Sequence, residues 1–272
     1  MRLTRFVILS CAALLTAGTT LSSASDATAL EIRHKHFDPS RQELSYELFN
    51  DSSRTMTAWR LSLARGDSHG HGNGSLLDQD FFEQAARAGS DGERGPLAPG
   101  ASRVERWRLD VGSEDRGTIA LSLRVVAVVF DDLDWQGEPE AAATILESRA
   151  HRVREIGRLV AALERGDGAS RSRQTWSREL GERAERLRGE SAQPGADGHL
   201  PREVAAQLSA TRQELADWLD RAGRELLVAA DPAASLRQMR QELERRYQSG
   251  LTALPSEVAV TLSRAHGKGG HQ

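Results

Sequence analysis

Between Leu30 and about Phe130, apolar and polar side chains alternate along the chain. Leu44, Tyr46 and Leu48 fall on one face of an extended segment, Trp59, Leu61 and Leu63 on that of the next, and Trp107, Leu109 and Val111 on a third. Ile119, Leu121, Leu123, Val125, Ala127 and Val129 repeat the pattern, which becomes continuously apolar from Val125 to Phe130. Alternation with period two marks half-buried strands, and a continuous apolar end marks a central strand covered on both faces. Turn formers separate the segments: Asp38-Pro39-Ser40-Arg41, Asn50-Asp51-Ser52-Ser53 and Pro96-Leu97-Ala98-Pro99-Gly100. A long polar, glycine-rich stretch from Gly66 to Gly95 holds one apolar island, Leu76-Leu77 with Phe81-Phe82, which reads as a short helix or an irregular edge segment.

After Pro139 the period changes to that of a helix. Ile145, Leu146, Val153, Ile156, Val160 and Leu163 recur at helical steps until Gly166-Asp167-Gly168. A weaker stripe holds Trp176, Leu180, Ala184 and Leu187, and Ser191 to Gly198 reads as a loop. Val204, Leu208, Thr211, Leu215, Trp218, Ala222 and Leu226 form a heptad-like stripe. Asp231-Pro232 predicts a capped helix start, Leu236, Met239, Leu243 and Tyr247 line that helix, and Gly250 and Pro255 close it. From Arg264 the chain is expected to be a disordered Gly/His-rich tail. Because i,i+4 pairs such as Glu182 with Arg186 contribute only a few tenths of a kcal/mol, the stripes must bury against something. They pack on each other as a bundle or long hairpin, or they meet a partner protein or a second copy.

The expected fold is therefore α+β in sequence-segregated halves: an antiparallel β-sandwich over 30–138 and an α-helical region over 139–263. The succession Phe37-Asp38-Pro39, Tyr46-Glu47-Leu48-Phe49-Asn50-Asp51-Ser52, Thr57-Ala58-Trp59 and Leu97-Ala98-Pro99-Gly100-Ala101-Ser102 resembles the small bacterial extracytoplasmic immunoglobulin-like modules of the FxLYD type. That resemblance implies an immunoglobulin-like sandwich outside the cytoplasm and names no ligand. The cysteine pair of antibody-type domains is missing.

Compartment follows from the first 29 residues. Arg2 and Arg5 precede an apolar run from Phe6 to Leu15, and small-x-small sites allow cleavage after Ala24 or Ala29. The run is shorter than the roughly 20 residues a spanning helix needs, and no later stretch is longer, so no transmembrane span is expected. An uncleaved anchor, or a lipoprotein signal built on Ile8-Leu9-Ser10-Cys11, is the competing reading. The chain's one cysteine, Cys11, lies inside this signal, so the exported chain would hold no disulfide and no thiol nucleophile. A periplasmic or secreted location is expected.

Residues 30–139 carry 13 Lys+Arg against 19 Asp+Glu, and residues 140–265 carry 20 against 19. Neither half has the basic excess that phosphate backbones demand, so nucleic acid is not an expected partner.

Two groups are candidate metal ligands. His34 and His36 are two apart on a predicted strand and share a face. With His69 and His71 in the glycine-rich stretch they offer imidazoles for zinc or copper, or they are polar edge and loop residues. Asp132-Leu133-Asp134-Trp135-Gln136-Gly137 matches the first half of a calcium loop through Asp132 and Asp134, but Ala143 stands where the bidentate glutamate belongs. The competing reading is a polar turn leading into the first helix. Trp59, Trp107, Trp176 and Trp218 lie on apolar stripes, and Trp135 in the acidic turn either anchors a partner or covers the junction of sheet and helices. No Gly-x-Ser-x-Gly, His-Glu-x-x-His or phosphate-binding glycine loop occurs. The pattern as a whole points to a non-enzymatic binding or scaffolding module of the cell envelope, with periplasmic binding of a divalent metal as the alternative.

Overall fold

The structure, a computed structural model, describes residues 28–66, 73–82, 95–109, 120–164, 172–192 and 200–268. The export signal, His69 and His71 lie outside them. The fold is α+β, with two antiparallel sheets in the N-terminal half and five helices in the C-terminal half. The strands are β1 (Leu30–Asp38), β2 (Glu43–Asn50), β3 (Met56–Gly66), β4 (Asn73–Asp80), β5 (Ser102–Arg108), β6 (Ala120–Phe130) and β7 (Trp135–Gly137). The helices are α1 (Pro139–Glu164), α2 (Arg173–Ala192), α3 (Arg202–Val228), α4 (Pro232–Thr252) and α5 (Ser256–Lys268).

One sheet has the order β1-β2-β5 and the other β4-β3-β6-β7. Leu30, Leu44, Tyr46 and Leu48 from the first meet Trp59, Leu61, Leu63, Leu77, Leu123, Val128 and Phe130 from the second in one shared core. The turn before β3 is fixed by a fully buried Asn50. Its Nδ2 donates to the carbonyls of Arg54 and Leu97, each at 2.8 Å, and its Oδ1 accepts from the Ser52 amide at 2.9 Å. β6 is buried on both faces, as its unbroken apolar run predicts, because α1 covers the second sheet from outside. Ala58, Val126, Ala127 and Val129 pack there against Ala141, Ala142 and Ile145, with Trp135 alongside. Trp135 thus covers the junction of sheet and helix.

The apolar island at Leu76-Leu77 belongs to β4, an edge strand. The two phenylalanines that follow part company. Phe81 stays with the sheets, 5.1 Å from the Trp59 ring, whereas Phe82 is 3 % exposed and belongs to the helical core.

The helical stripes bury against one another within the chain. Val153, Ile156, Leu163, Leu180, Leu215, Leu219, Leu226, Leu243 and Tyr247 share one core. Asp231 caps α4 as expected, its Oδ1 accepting from the Ala234 amide at 3.0 Å. Gly250 does not end α4. It lies inside the last turn, where a Cβ would come 2.4 Å from Val153 Cγ2, so glycine is there to let α1 and α4 approach. Gly157 does the same opposite Tyr247, at 2.8 Å. Pro255 is followed at once by α5, which runs through Arg264 to Lys268, past the residue where the tail was expected to begin.

The β6–β7 hairpin ends at Gly137, whose φ of +99° puts it where side chains are disfavoured. An added Cβ would stand 2.2 Å from the Val126 carbonyl oxygen. Gly137→Ala is expected to cost about 2–4 kcal/mol. Gly100→Ala, at φ +68° with nothing within 4 Å, carries only the backbone penalty, about 1 kcal/mol. Urea denaturation of the two variants measures the difference.

Candidate functional site at the seam of sheets and helices

β4 places Asp78 and Asp80 on the face opposite Leu77, and β3 places Arg60 across from Asp78. The Arg60 guanidinium forks onto both oxygens of Asp78, and Gln207 of α3 donates to the same carboxylate. Arg149 reaches in from α1 and is 1 % exposed. Its Nε donates to Asp80 Oδ2 at 2.8 Å and Oδ1 at 3.0 Å, and its Nη2 to Thr57 Oγ1 at 2.8 Å. The Thr57 hydroxyl lies 3.2 Å from the carbonyl oxygens of Val129 and Phe130. Phe82 completes the group: its amide donates to Asp80 Oδ1 at 3.2 Å, and its ring lies under the guanidinium groups of Arg149 (5.7 Å) and Arg152 (6.0 Å). Two arginines and two aspartates thus balance in charge where the halves meet. Nη1 of Arg149 is buried without a hydrogen-bond partner, a cost tolerated where the remaining bonds are strong.

A second set of charges ties the helices together. Glu155 is buried and accepts from Arg158 at 2.8 Å, with Arg212 of α3 at 3.4 Å. Glu214 accepts from Arg152 at 2.6 Å and from Arg246 at 3.0 Å. A groove of about 280 Å³ lined by Val160, Arg237, Arg240, Gln241 and Glu244 runs between α1 and α4.

The predicted metal ligands are placed as follows. His34 and His36 are both exposed on the edge strand β1, separated by a bulge in which His34 takes φ +47°. His34 Nε2 lies 3.5 Å from Glu47 Oε2. Asp132 and Asp134 form the hairpin turn between β6 and β7, and Arg54 sits between them: its Nη1 lies 2.7 Å from Asp134 Oδ2 and 3.1 Å from Asp132 Oδ2. The same guanidinium stacks 3.8 Å over the Phe130 ring. The hydrogen bond from Arg54 holds the Asp134 carboxyl below the usual carboxylate range. An arginine therefore supplies the positive charge that a bound cation would bring to this turn. Among the described residues, no three of His, Cys, Asp and Glu gather closely enough to hold a metal ion, and no helix is long and apolar enough to cross a membrane.

Inside the sheet core, burial, with Glu105 nearby, pushes the Tyr46 phenol up to about 12. Below its ordinary value of 10.0 the phenol is protonated whether the chain is folded or not. Above that, the unfolded chain loses the proton first, so stability is expected to fall as pH climbs from 10 toward 12. Urea midpoints across that range, in the native chain and in Tyr46→Phe, test this: the variant should lack most of the decline.

The comparisons with known proteins add no family: no protein-family model matches the chain, and no curated protein matches it.

Proposed function

We propose that the protein is an exported, non-enzymatic binding or scaffolding module of the cell envelope, periplasmic or secreted, and that its two-sheet half is an immunoglobulin-like sandwich. The strand order supports the sandwich. β1-β2-β5 against β4-β3-β6-β7 corresponds to the A-B-E and C′-C-F-G arrangement of that fold, with no disulfide to hold it. The observation that carries the functional reading is the seam. Phe82 and Arg149 fasten sheets and helices into one body, and the helical stripes are spent on that body's own core. Such a bundle acts as a fixed mount that presents the sheets to a partner, rather than as a free coiled-coil surface.

The test is fractionation of cells making the whole chain, with N-terminal sequencing and photocrosslinking at exposed positions of the sheets. The expected result is an envelope form beginning after Ala24 or Ala29 that crosslinks to one protein species. A chain that keeps residues 1–24 in the cytoplasm, or an exported one that crosslinks to nothing, would contradict the proposal.

A further inference from the structure

We infer that the outer edge of β5 is where an extended acidic segment of a partner protein adds as a further strand; the inference rests on reading the protein as a binding module. β5 ends its sheet and is paired on one side only, with β2. Alternate backbone N–H and C=O groups along it therefore face away from the sheet, with no partner among the described residues. Proteins blunt such edges by shortening them, bulging them or covering them. β7 is three residues long. β1 is bulged between Arg33 and His36. β4 has Asp78 and Asp80 engaged with α3 and α1. Among the described residues β5 has none of these protections: it pairs with β2 in unbroken register from Ser102 to Arg108.

Its side chains suit an interface. Val104 is 63 % exposed and Trp107 37 % exposed. Trp107 was expected in the core; it stands opposite the buried Leu44 on the inward face of β5, but at the sheet's edge, where the described residues leave it partly uncovered. Arg106 and Arg108 are exposed on the same face as Val104 and make no ion pair among the described residues. A strand added along this edge would meet Trp107 on the inward face of the sheet and Val104, Arg106 and Arg108 on the outward face, and Trp and Arg are residue types enriched in binding hot spots. The unpaired guanidinium groups select against a basic strand and for an acidic one. They also select against a second copy, whose own Arg106 and Arg108 would lie along the same join. Main-chain bonds would supply affinity, and the charges the choice of partner.

The probe is a fluorescent nonapeptide of alternating glutamate and valine, with its lysine–valine counterpart as control, titrated into the whole chain. The acidic peptide should bind saturably and slow amide exchange at alternate positions of β5. Arg106→Glu/Arg108→Glu should weaken it by roughly tenfold or more and favour the lysine peptide instead. Both arginines are exposed and unpaired, so an unchanged melting temperature shows that this variant folds; Trp107→Ala, expected to weaken both peptides, is the independent variant. Equal binding of the two peptides, no slowing at β5, or a dimer joined through β5 in light scattering would overturn the inference. If the envelope crosslink survives the double charge reversal, the binding-module reading stands and the β5 site falls.

Discussion

Phe82→Ala is expected to destabilise the whole protein by about 3–5 kcal/mol, although the residue comes from the sheet half. Its ring is buried in the helical core where α1 and α4 meet, so that a Cβ on Gly250 would lie 3.3 Å from Phe82 Cε2 as well as 2.4 Å from Val153 Cγ2. Truncation would leave a ring-sized cavity among helices that already meet at glycine contacts and cannot close further. Urea denaturation followed by circular dichroism at wavelengths dominated by helix, and by fluorescence from Trp59 in a chain whose other tryptophans are replaced by phenylalanine, reads each half. Both transitions should move to lower urea together. Loss confined to the helical signal would mean that Phe82 decorates the bundle without joining it to the sheets.

Arg149→Met keeps the apolar stem of the side chain and removes the guanidinium. It leaves Asp80 with only the Phe82 amide as donor and takes the guanidinium away from the Thr57 hydroxyl. Removing one partner of a buried pair costs about 3–5 kcal/mol; because Asp80 retains some contact with solvent, the lower end, about 3 kcal/mol, is expected. Asp80→Asn in the same chain should recover a part of that loss, on the order of 1–2 kcal/mol relative to the sum of the single changes. Strict additivity of the two substitutions in denaturation experiments would show that the pair is not coupled.

The outline of the fold was legible because its cores follow simple periods. Trp59-Leu61-Leu63 on β3 and the stripes of α3 and α4 each face one core, the continuous run of β6 faces two, and each announces itself in spacing alone. Elements without a period were not legible. β7 is too short to show one, and Leu76-Leu77 gave no alternation because polar Gln79 shares the inward face with Leu77 while apolar Leu76 is exposed on the face of Asp78. Gly250 and Pro255 looked like stops because the same residue types serve as stops; close approach of α1 and the start of α5 use them differently. The seam left one signal that could have been read. Arg149 lies one helical turn from both Ile145 and Val153, in the middle of the buried stripe, where a charge demands a partner. That the partner is Asp80, 69 positions earlier, depends on which sheet edge meets α1, and no local pattern carries that. The metal candidates show the reverse: Asp132 and Asp134 do lie in a turn, but it joins β6 to β7 instead of leading into α1, and the arginine that lies between them comes from the separate turn that joins β2 to β3.

Hydrogen exchange of the intact chain in mild denaturant tests most directly whether sheets and helices are one unit. The slowest amides of β3 and β6 and those of α1 and α4 should open with the same free energy, and Arg149→Met should lower all of them by the same amount. Two separate opening energies, with the helices exchanging while β6 stays protected, would contradict the fixed mount on which the proposed function depends.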